Sequence, residues 1–166
     1  SPGETEAEGD WSNAAFWLAA GAISGDAVVD GLSTASLQGD RAIAEILGAF
    51  GAEVSAENSR VSVSQSTLSG TAIDASQIPD LVPALAVLGA AAEGETVIKN
   101  AARLRIKESD RLCALARNLR ELGAEVRETE DGLVIRGGKP LIGGAVSGFN
   151  DHRIVMAFAV FSALCA

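Results

Sequence analysis

The nine residues from 103 to 111, RLRIKESDR, carry the densest set of chemically active side chains in the chain. Four cations and two carboxylates stand there, directly before a predicted amphipathic helix. Guanidinium groups bind phosphate or carboxylate through paired hydrogen bonds, and a carboxylate held beside them can transfer a proton. The segment therefore indicates an anion pocket with an acid–base group. The alternative interpretation is a solvated charged loop.

His152, the single histidine, stands between Asp151 and Arg153 at another predicted helix start. One histidine and two distant cysteines, Cys113 and Cys165, do not form a metal-ligand set, and no pattern typical of a catalytic triad accompanies them. We therefore expect no bound metal. Both cysteines lie in apolar patterns, which predicts small buried side chains in a protein of the reducing cytosol.

The overall composition predicts a single cytoplasmic domain, residues 1–166, with no nucleic-acid or membrane partner. The net charge is −9 and no basic tract exceeds two residues, whereas a nucleic-acid surface needs clustered Lys and Arg. The longest apolar run, Ile154–Ala166, has 13 residues, and a membrane-spanning helix needs about 20. The first residues also lack the pattern of a signal peptide.

The chain contains an internal repeat of about 70 residues. Asp10, Asp80 and Asp151 each precede a long apolar run, and they are spaced by 70 and 71 residues. Asp40 and Asp110, each followed by an arginine, are also 70 residues apart, and two GAEV tetrapeptides are 72 residues apart. Several matches in the same order at one period indicate a repeated structural unit.

Each repeat unit reads as a helix, a strand, a loop, a second helix and two strands. The three aspartates that precede the apolar runs are predicted N-caps, and the runs predict helices buried on every side. The second helices, after Asp40 and Asp110, are amphipathic and are predicted to end at Gly51 and Gly123. The Asp131-Gly132 pair predicts a hairpin.

The predicted units span about residues 8–76, 77–147 and 148–166, and the third stops after its first helix. The predicted fold class is therefore α+β, with repeated units packed around buried helices and the last unit incomplete. If a pseudo-threefold axis relates the first helices, their N-termini share one end, where exposed N–H groups favour anions. Ordinary caps on core helices are the alternative.

Two motifs give the chain a specific resemblance. The KESDRL run at 107–112 and the DHRIVMA run at 151–157 resemble the signature motifs of the 5-enolpyruvylshikimate-3-phosphate synthases. The IPD run at 78–80 resembles the catalytic-aspartate segment of that family, and EGD at 8–10 resembles the start of its first helix. The similarity extends along essentially the whole chain.

The resemblance implies a transferase of the shikimate pathway, which leads to the aromatic amino acids. Such an enzyme transfers the enolpyruvyl group of phosphoenolpyruvate to the 5-hydroxyl of shikimate 3-phosphate and releases phosphate, with no metal or organic cofactor. Its two domains, each an inside-out α/β barrel of three βαβαββ units, close over the substrates. The chain would then be most of the C-terminal domain, and it is expected to be inactive without the N-terminal domain.

The resemblance also implies roles for individual residues. Asp80 resembles the carboxylate that binds the shikimate hydroxyl and acts as its base. Glu108 resembles the group that shuttles a proton at the methylene carbon of phosphoenolpyruvate. Lys107 resembles a contact to the phosphate of shikimate 3-phosphate that also takes part in proton transfer. Arg103 receives no role, because many relatives carry a different polar residue there.

The two arginines of the motifs, Arg111 and Arg153, resemble the clamps on the carboxylate and phosphate of phosphoenolpyruvate. Asp10, Asp151 and His152 would support them from the same cleft. Two alternatives remain at this point. One is the related carboxyvinyltransferase that acts on UDP-N-acetylglucosamine, and the other is a non-catalytic binding domain with the same fold.

Overall fold

The computed structural model describes residues 7–165, in which helices and strands follow the predicted order with one additional strand, 72–74, before the second long apolar run. The α-helices and β-strands are, in chain order, α1 (Trp11–Ser24), β1 (Ala27–Asp30), α2 (Ile43–Ala49), β2 (Glu53–Glu57), β3 (Arg60–Ser64), β4 (Ala72–Asp74), α3 (Val82–Ala91), β5 (Gly94–Lys99), α4 (Arg111–Glu121), β6 (Glu125–Glu128), β7 (Leu133–Gly137) and α5 (His152–Phe161). None of these helices is long and apolar enough to cross a lipid bilayer.

The strands form two sheets, one for each of the first two units. The first has the order β1-β3-β2 and is antiparallel throughout. The second has the order β4-β5-β7-β6, in which β4 runs parallel to β5 and the other pairs are antiparallel. Strands β6 and β7 form the hairpin predicted around Asp131-Gly132.

The hydrogen bonding of β4 bears on where the second unit begins. Ala72, Ile73 and Asp74 pair with β5, so β4 belongs to the second sheet although it lies before residue 77. We propose that the second unit starts with β4, which gives it the complete order β4-α3-β5-α4-β6-β7. The boundary expected between residues 76 and 77 would separate two paired strands.

The helices that follow the repeated aspartates differ in how completely they are buried. In α3 all nine residues from 82 to 90 are buried, because this helix packs against α1, α5 and the second sheet. The expectation of burial on every side is wrong for the other two. Trp17 of α1 is 70% exposed and Val155 of α5 is 57% exposed. Within the described residues α5 has no sheet of its own, so its outer face stays open.

The predicted caps form at two of the three repeated aspartates. The side chains of Asp10 and Asp151 accept hydrogen bonds from backbone amides in the first turns of α1 and α5. Asp110 caps α4 in the same way. The prediction for Asp80 is wrong: it lies inside the 3-10 turn Pro79–Leu81, and α3 begins after that turn without a side-chain cap. Its carboxylate is therefore available to other partners.

The amphipathic α4 follows its predicted pattern, and its leucine stripe is buried against the core. Gly51 and Gly123 follow α2 and α4 with φ angles of 94° and 88°, the left-handed conformation that ends a helix at little cost for glycine. The expectation of buried cysteines is wrong. Cys113 lies off the leucine stripe and is exposed, and Cys165 is partly exposed.

Gly21 sets the distance between α1 and the first sheet. A Cβ atom at this position would lie 2.5 Å from the Cβ of Ala27 and 2.8 Å from Cγ1 of Val63. Gly48, in the last turn of α2, has no atom within 4 Å of the same position apart from its chain neighbours and the backbone of its own helix. The two glycines therefore differ in packing although both are helical.

We predict opposite effects of alanine at these two glycines. Gly21→Ala should lower the free energy of unfolding by about 1–3 kcal/mol, because the methyl group overpacks the helix–sheet contact. Gly48→Ala should raise it by about 0.4–1 kcal/mol, because alanine favours the helix and meets open space. Urea unfolding of both variants measures the difference. Equal changes would contradict the packing role of Gly21.

Candidate active site

The first turns of three helices and the loop before a fourth converge at one end of the molecule. Arg153 of α5 donates a hydrogen bond to Oγ of Ser12 in α1 over 2.9 Å. It also donates to the main-chain carbonyl of Asp80, before α3, over 3.4 Å. Arg111, at the start of α4, donates to the Asp151 carboxylate at the start of α5 over 2.8 Å. The prediction that the repeated helix starts share one end is confirmed.

Arg111 lies at the centre of this end and is 1% exposed. Besides the bond from Nε to Asp151, its Nη1 donates to Oδ1 of Asp80 over 2.9 Å and its Nη2 donates to Oε2 of Glu108 over 2.6 Å. Burial lowers the pKa of Arg111, but the hydrogen bond and charge of Asp151 and the charge of Glu108 outweigh it and raise the pKa. The guanidinium is charged and held by carboxylates from three segments.

Asp151 joins Arg111 to the start of α5. Its carboxylate is buried, accepts from Oγ of Ser109 over 3.0 Å and from the backbone N–H of Arg153 over 3.0 Å. Burial alone raises the pKa of Asp151, but the hydrogen bond and charge of Arg111 and the other two donors bring it below its usual value. One ionised carboxylate thus caps a helix and orients a buried guanidinium.

Asp80 faces three cations. Its Oδ1 lies 2.9 Å from Nη1 of Arg111, 3.4 Å from Nζ of Lys107 and 3.7 Å from Nε of Arg153. Burial raises the pKa of Asp80, yet the charges of Arg153 and Lys107 and the hydrogen bond from Arg111 outweigh it and lower the pKa. Asp80 is therefore ionised at neutral pH and can accept a hydrogen bond from a hydroxyl group.

Lys107 and Glu108 form the open side of the cluster. The side chain of Lys107 is 30% exposed, and that of Glu108 is 50% exposed although it contacts the buried Arg111. A ligand that enters from solvent would reach them first. The next residue upstream, Ile106, is 85% exposed at the same edge.

The remaining predicted residues are placed differently. Asp10 joins the cluster through Ser12, whose Oγ donates to Oδ1 of Asp10 over 2.7 Å. His152 is exposed, and within residues 7–165 its side chain makes no hydrogen bond or ion pair. Arg103 is also exposed. The structure therefore brings Asp10 into the cluster and leaves the His152 side chain outside it.

Sequence reasoning missed three residues of this end. Ser12 binds Asp10 and Arg153, and Ser109 binds Asp151. In both cases the available signal was a hydroxyl close in sequence to a carboxylate of a motif. The third is Asp40. Burial and the negative charge of Asp80 raise its pKa, and the positive charge of Arg153 offsets part of that rise. The 70-residue spacing between Asp40 and Asp110 indicated that Asp40 occupies a repeated position. The spacing did not indicate that Asp40 lies near Asp80.

The chemistry of the cluster follows from its groups. Two guanidiniums and one ammonium can hold anionic groups, and carboxylates beside them can exchange protons. In the part of the chain from 7 to 165, no group of three or more His, Cys, Asp or Glu side chains is placed to hold a metal ion. The fold of sheets on buried repeated helices, with this cluster at the shared helix end, is that of an enolpyruvyl transferase domain.

A family model described as EPSP synthase (3-phosphoshikimate 1-carboxyvinyltransferase) matches residues 1–166. The chain belongs to this family. A protein of that name from Clostridium acetobutylicum is 52% identical over 158 residues, which are 95% of this chain and 36% of the relative. Another from Methanothrix thermoacetophila is 54% identical over 154 residues, which are 92% of this chain and 36% of the relative.

Solved structures agree with the sequence comparison and confirm the predicted fold class. The EPSP synthase of Acinetobacter baumannii superposes with a TM-score of 0.86 at 33% identity, over 93% of this chain and 39% of that one. The enolpyruvyl transferase NikO of Streptomyces tendae shares the fold, with a TM-score of 0.67 at 20% identity over 95% of this chain and 37% of that one. The chain thus spans well under half of the length of these relatives.

We predict that Asp151→Asn strongly destabilises the domain at neutral pH. The substitution leaves the buried Arg111 guanidinium without its principal counter-charge, and breaking a buried ion pair costs about 3–5 kcal/mol. Because the folded state lowers the pKa of Asp151, the stabilisation is present above about pH 4, the ordinary aspartate value, and is lost as pH falls through the lower folded-state value. Urea unfolding from pH 7 to pH 3 measures it.

Asp30→Asn is the matched control for this prediction. Asp30 pairs with Arg60 over 2.7 Å, but both side chains are more than 60% exposed, so solvent screens the pair and little stability should be lost. If the two variants lose the same stability at pH 7, the buried pair does not have the role assigned to it.

Proposed function

We propose that this cluster is one side of the active site of an enzyme that transfers the enolpyruvyl group of phosphoenolpyruvate to the 5-hydroxyl of shikimate 3-phosphate. The observation that supports this function best is the placement of Asp80 and Glu108 on one buried guanidinium, Arg111. Two carboxylates in different surroundings, with cations between and around them, match a reaction that moves two protons on an anionic substrate.

In the proposed reaction, Asp80 accepts the proton of the 5-hydroxyl as its oxygen bonds to C2 of phosphoenolpyruvate. Glu108 delivers a proton to the methylene carbon, which becomes a methyl group in the tetrahedral intermediate. The bond between C2 and the phosphate oxygen then breaks, and the departing phosphate takes up the proton held by Asp80. A proton returns from the methyl group to Glu108 as the double bond forms again. Lys107, which contacts Asp80, is proposed to bind the phosphate of shikimate 3-phosphate and to take part in the proton transfers of the reaction.

Arg111 and Arg153 are proposed to bind the carboxylate and phosphate of phosphoenolpyruvate. Asp10 and Asp151 are proposed to support them within the cluster, and His152 is proposed to do so from the exposed position beside it. Planar guanidiniums suit such groups, because each can donate two parallel hydrogen bonds. In the structure, Nη2 of Arg111 is bonded to Glu108. An arriving anionic group would take this donor and release Glu108 from the guanidinium. In the proposed reaction, Glu108 then acts beside the methylene carbon in its protonated form, which the delivery of a proton requires.

The proposed partner of this site is the remainder of the enzyme, which would cover the open side of the cluster and exclude water during the reaction. The relatives have most of their length outside the matched region. We place the activity in the cytoplasm, without a metal or an organic cofactor.

We predict that the chain alone does not convert phosphoenolpyruvate and shikimate 3-phosphate to product, whereas a full-length enzyme that contains these residues does. Catalysis of this kind depends on positioning both substrates in a closed site, and the chain provides one side of it. Phosphate release from phosphoenolpyruvate and shikimate 3-phosphate measures both samples. In the control reaction, UDP-N-acetylglucosamine replaces shikimate 3-phosphate. An enzyme that releases phosphate with UDP-N-acetylglucosamine but not with shikimate 3-phosphate would overturn the assigned substrate.

We predict that Glu108→Gln in the full-length enzyme lowers kcat by roughly 10²–10⁴, while KM changes far less. Glutamine keeps the size and a hydrogen-bonding group but does not exchange a proton. Glu121→Gln, on the exposed face of α4, is the control and should leave both constants unchanged. If Glu108→Gln retains kcat and loses only affinity, Glu108 is a binding residue and the proton must come from another group.

A further inference from the structure

The guanidinium of Arg153 has one strong hydrogen bond among the described residues. Its Nη2 donates to Oγ of Ser12 over 2.9 Å, whereas the bond from Nη1 to the Asp80 carbonyl is long, at 3.4 Å, and Nε lies 3.7 Å from the Asp80 carboxylate. The Arg153 side chain is 12% exposed, so it keeps donors that can reach a ligand. Among the described side chains, Ser12 therefore forms the shortest contact to this guanidinium.

Ser12 is fixed as an acceptor for this bond. A serine hydroxyl has a single hydrogen, and Ser12 gives it to Oδ1 of Asp10 over 2.7 Å. The lone pairs of its oxygen are then directed to Arg153. Ser12 is 5% exposed, so few water molecules can compete for the same position. The side chains of Asp10, Ser12 and Arg153 thus form a hydrogen-bonded series that joins the first helix, α1, to the last helix, α5.

The hydroxyl of Ser12 is not required by the helix cap. Asp10 already accepts from the backbone amides of Ser12 and Asn13 and from the Asn13 side chain, and these bonds satisfy the first turn of α1. The side-chain hydroxyl adds the contact to Arg153, a residue 141 positions away in the chain. A contact that the local structure does not need points to a role in the site.

We infer that Ser12 is a positioning residue for Arg153, and that it holds this guanidinium in the orientation that binds an anionic group of phosphoenolpyruvate. The inference rests on the proposed function. Ser12 itself does not touch the reacting atoms; it acts through Arg153, and Asp10 acts through Ser12. Loss of the hydroxyl should therefore affect the substrate that Arg153 binds and leave the affinity for shikimate 3-phosphate unchanged.

The test uses steady-state kinetics of the full-length enzyme with Ser12→Ala and Ser12→Thr. Ser12→Ala should raise KM for phosphoenolpyruvate by about 10-fold, the value of one hydrogen bond to a charged group, with little change in KM for shikimate 3-phosphate. Ser12→Thr restores the hydroxyl and should recover most of the loss. Ser24→Ala, on the exposed end of the same helix, should have no effect, because its Oγ donates only within α1.

A double-mutant cycle with Arg153→Lys covers the case in which threonine does not fit the buried site. If Ser12 acts through Arg153, Ser12→Ala should change KM for phosphoenolpyruvate by less than about 2-fold in the Arg153→Lys background. Additive effects, or an equal rise of both KM values, would overturn the inference and indicate a structural role. An unmodified enzyme that releases no phosphate from the two substrates would overturn the proposed function, and the inference with it.

Discussion

The ion pair between Arg111 and Asp151 is the interaction on which the rest of the site depends. Both groups are buried, and each would be costly to bury alone. The pair fixes Arg111 at the centre of the cluster, and Arg111 in turn orients Asp80 and Glu108. Because Asp151 also caps α5, the same carboxylate sets the start of the helix that carries Arg153. The positions of both arginines therefore follow from one buried contact.

The repeat explains why such a cluster can form and also why it is not symmetric. Asp40-Arg41 and Asp110-Arg111 occupy the same register in the two units, yet Arg41 donates to the Thr34 carbonyl on the surface and Arg111 enters the core. The difference lies in the neighbours. Arg111 follows a segment with Lys107 and Glu108, and the next unit places Asp151 beside it. The arginine of the first copy keeps a local contact, and the arginine of the second copy serves the site.

The sequence predicted the elements well and the side-chain partners less well. Periodicity, caps and glycines determine where helices begin and end, so α4, the hairpin at Asp131-Gly132 and the shared helix end were predictable. Asp80 was misplaced because a capping aspartate and an aspartate within a 3-10 turn have the same local sequence, and tertiary cations decide between them. Ser12 was missed because its partner lies 141 residues away, a distance that no local pattern records.

The charge balance of the cluster limits what this side of the site can do alone. The cations Lys107, Arg111 and Arg153 are fewer than the carboxylates at this end, on a chain with a net charge of −9. These carboxylates are Asp10, Asp40, Asp80, Glu108 and Asp151. The two proposed substrates each carry a phosphate and a carboxylate. Binding both would place a large excess of negative charge in a partly buried site, which is unfavourable without further cations. We therefore expect the part of the enzyme beyond this chain to contribute basic side chains, so that the two sides together match the charge of the substrates.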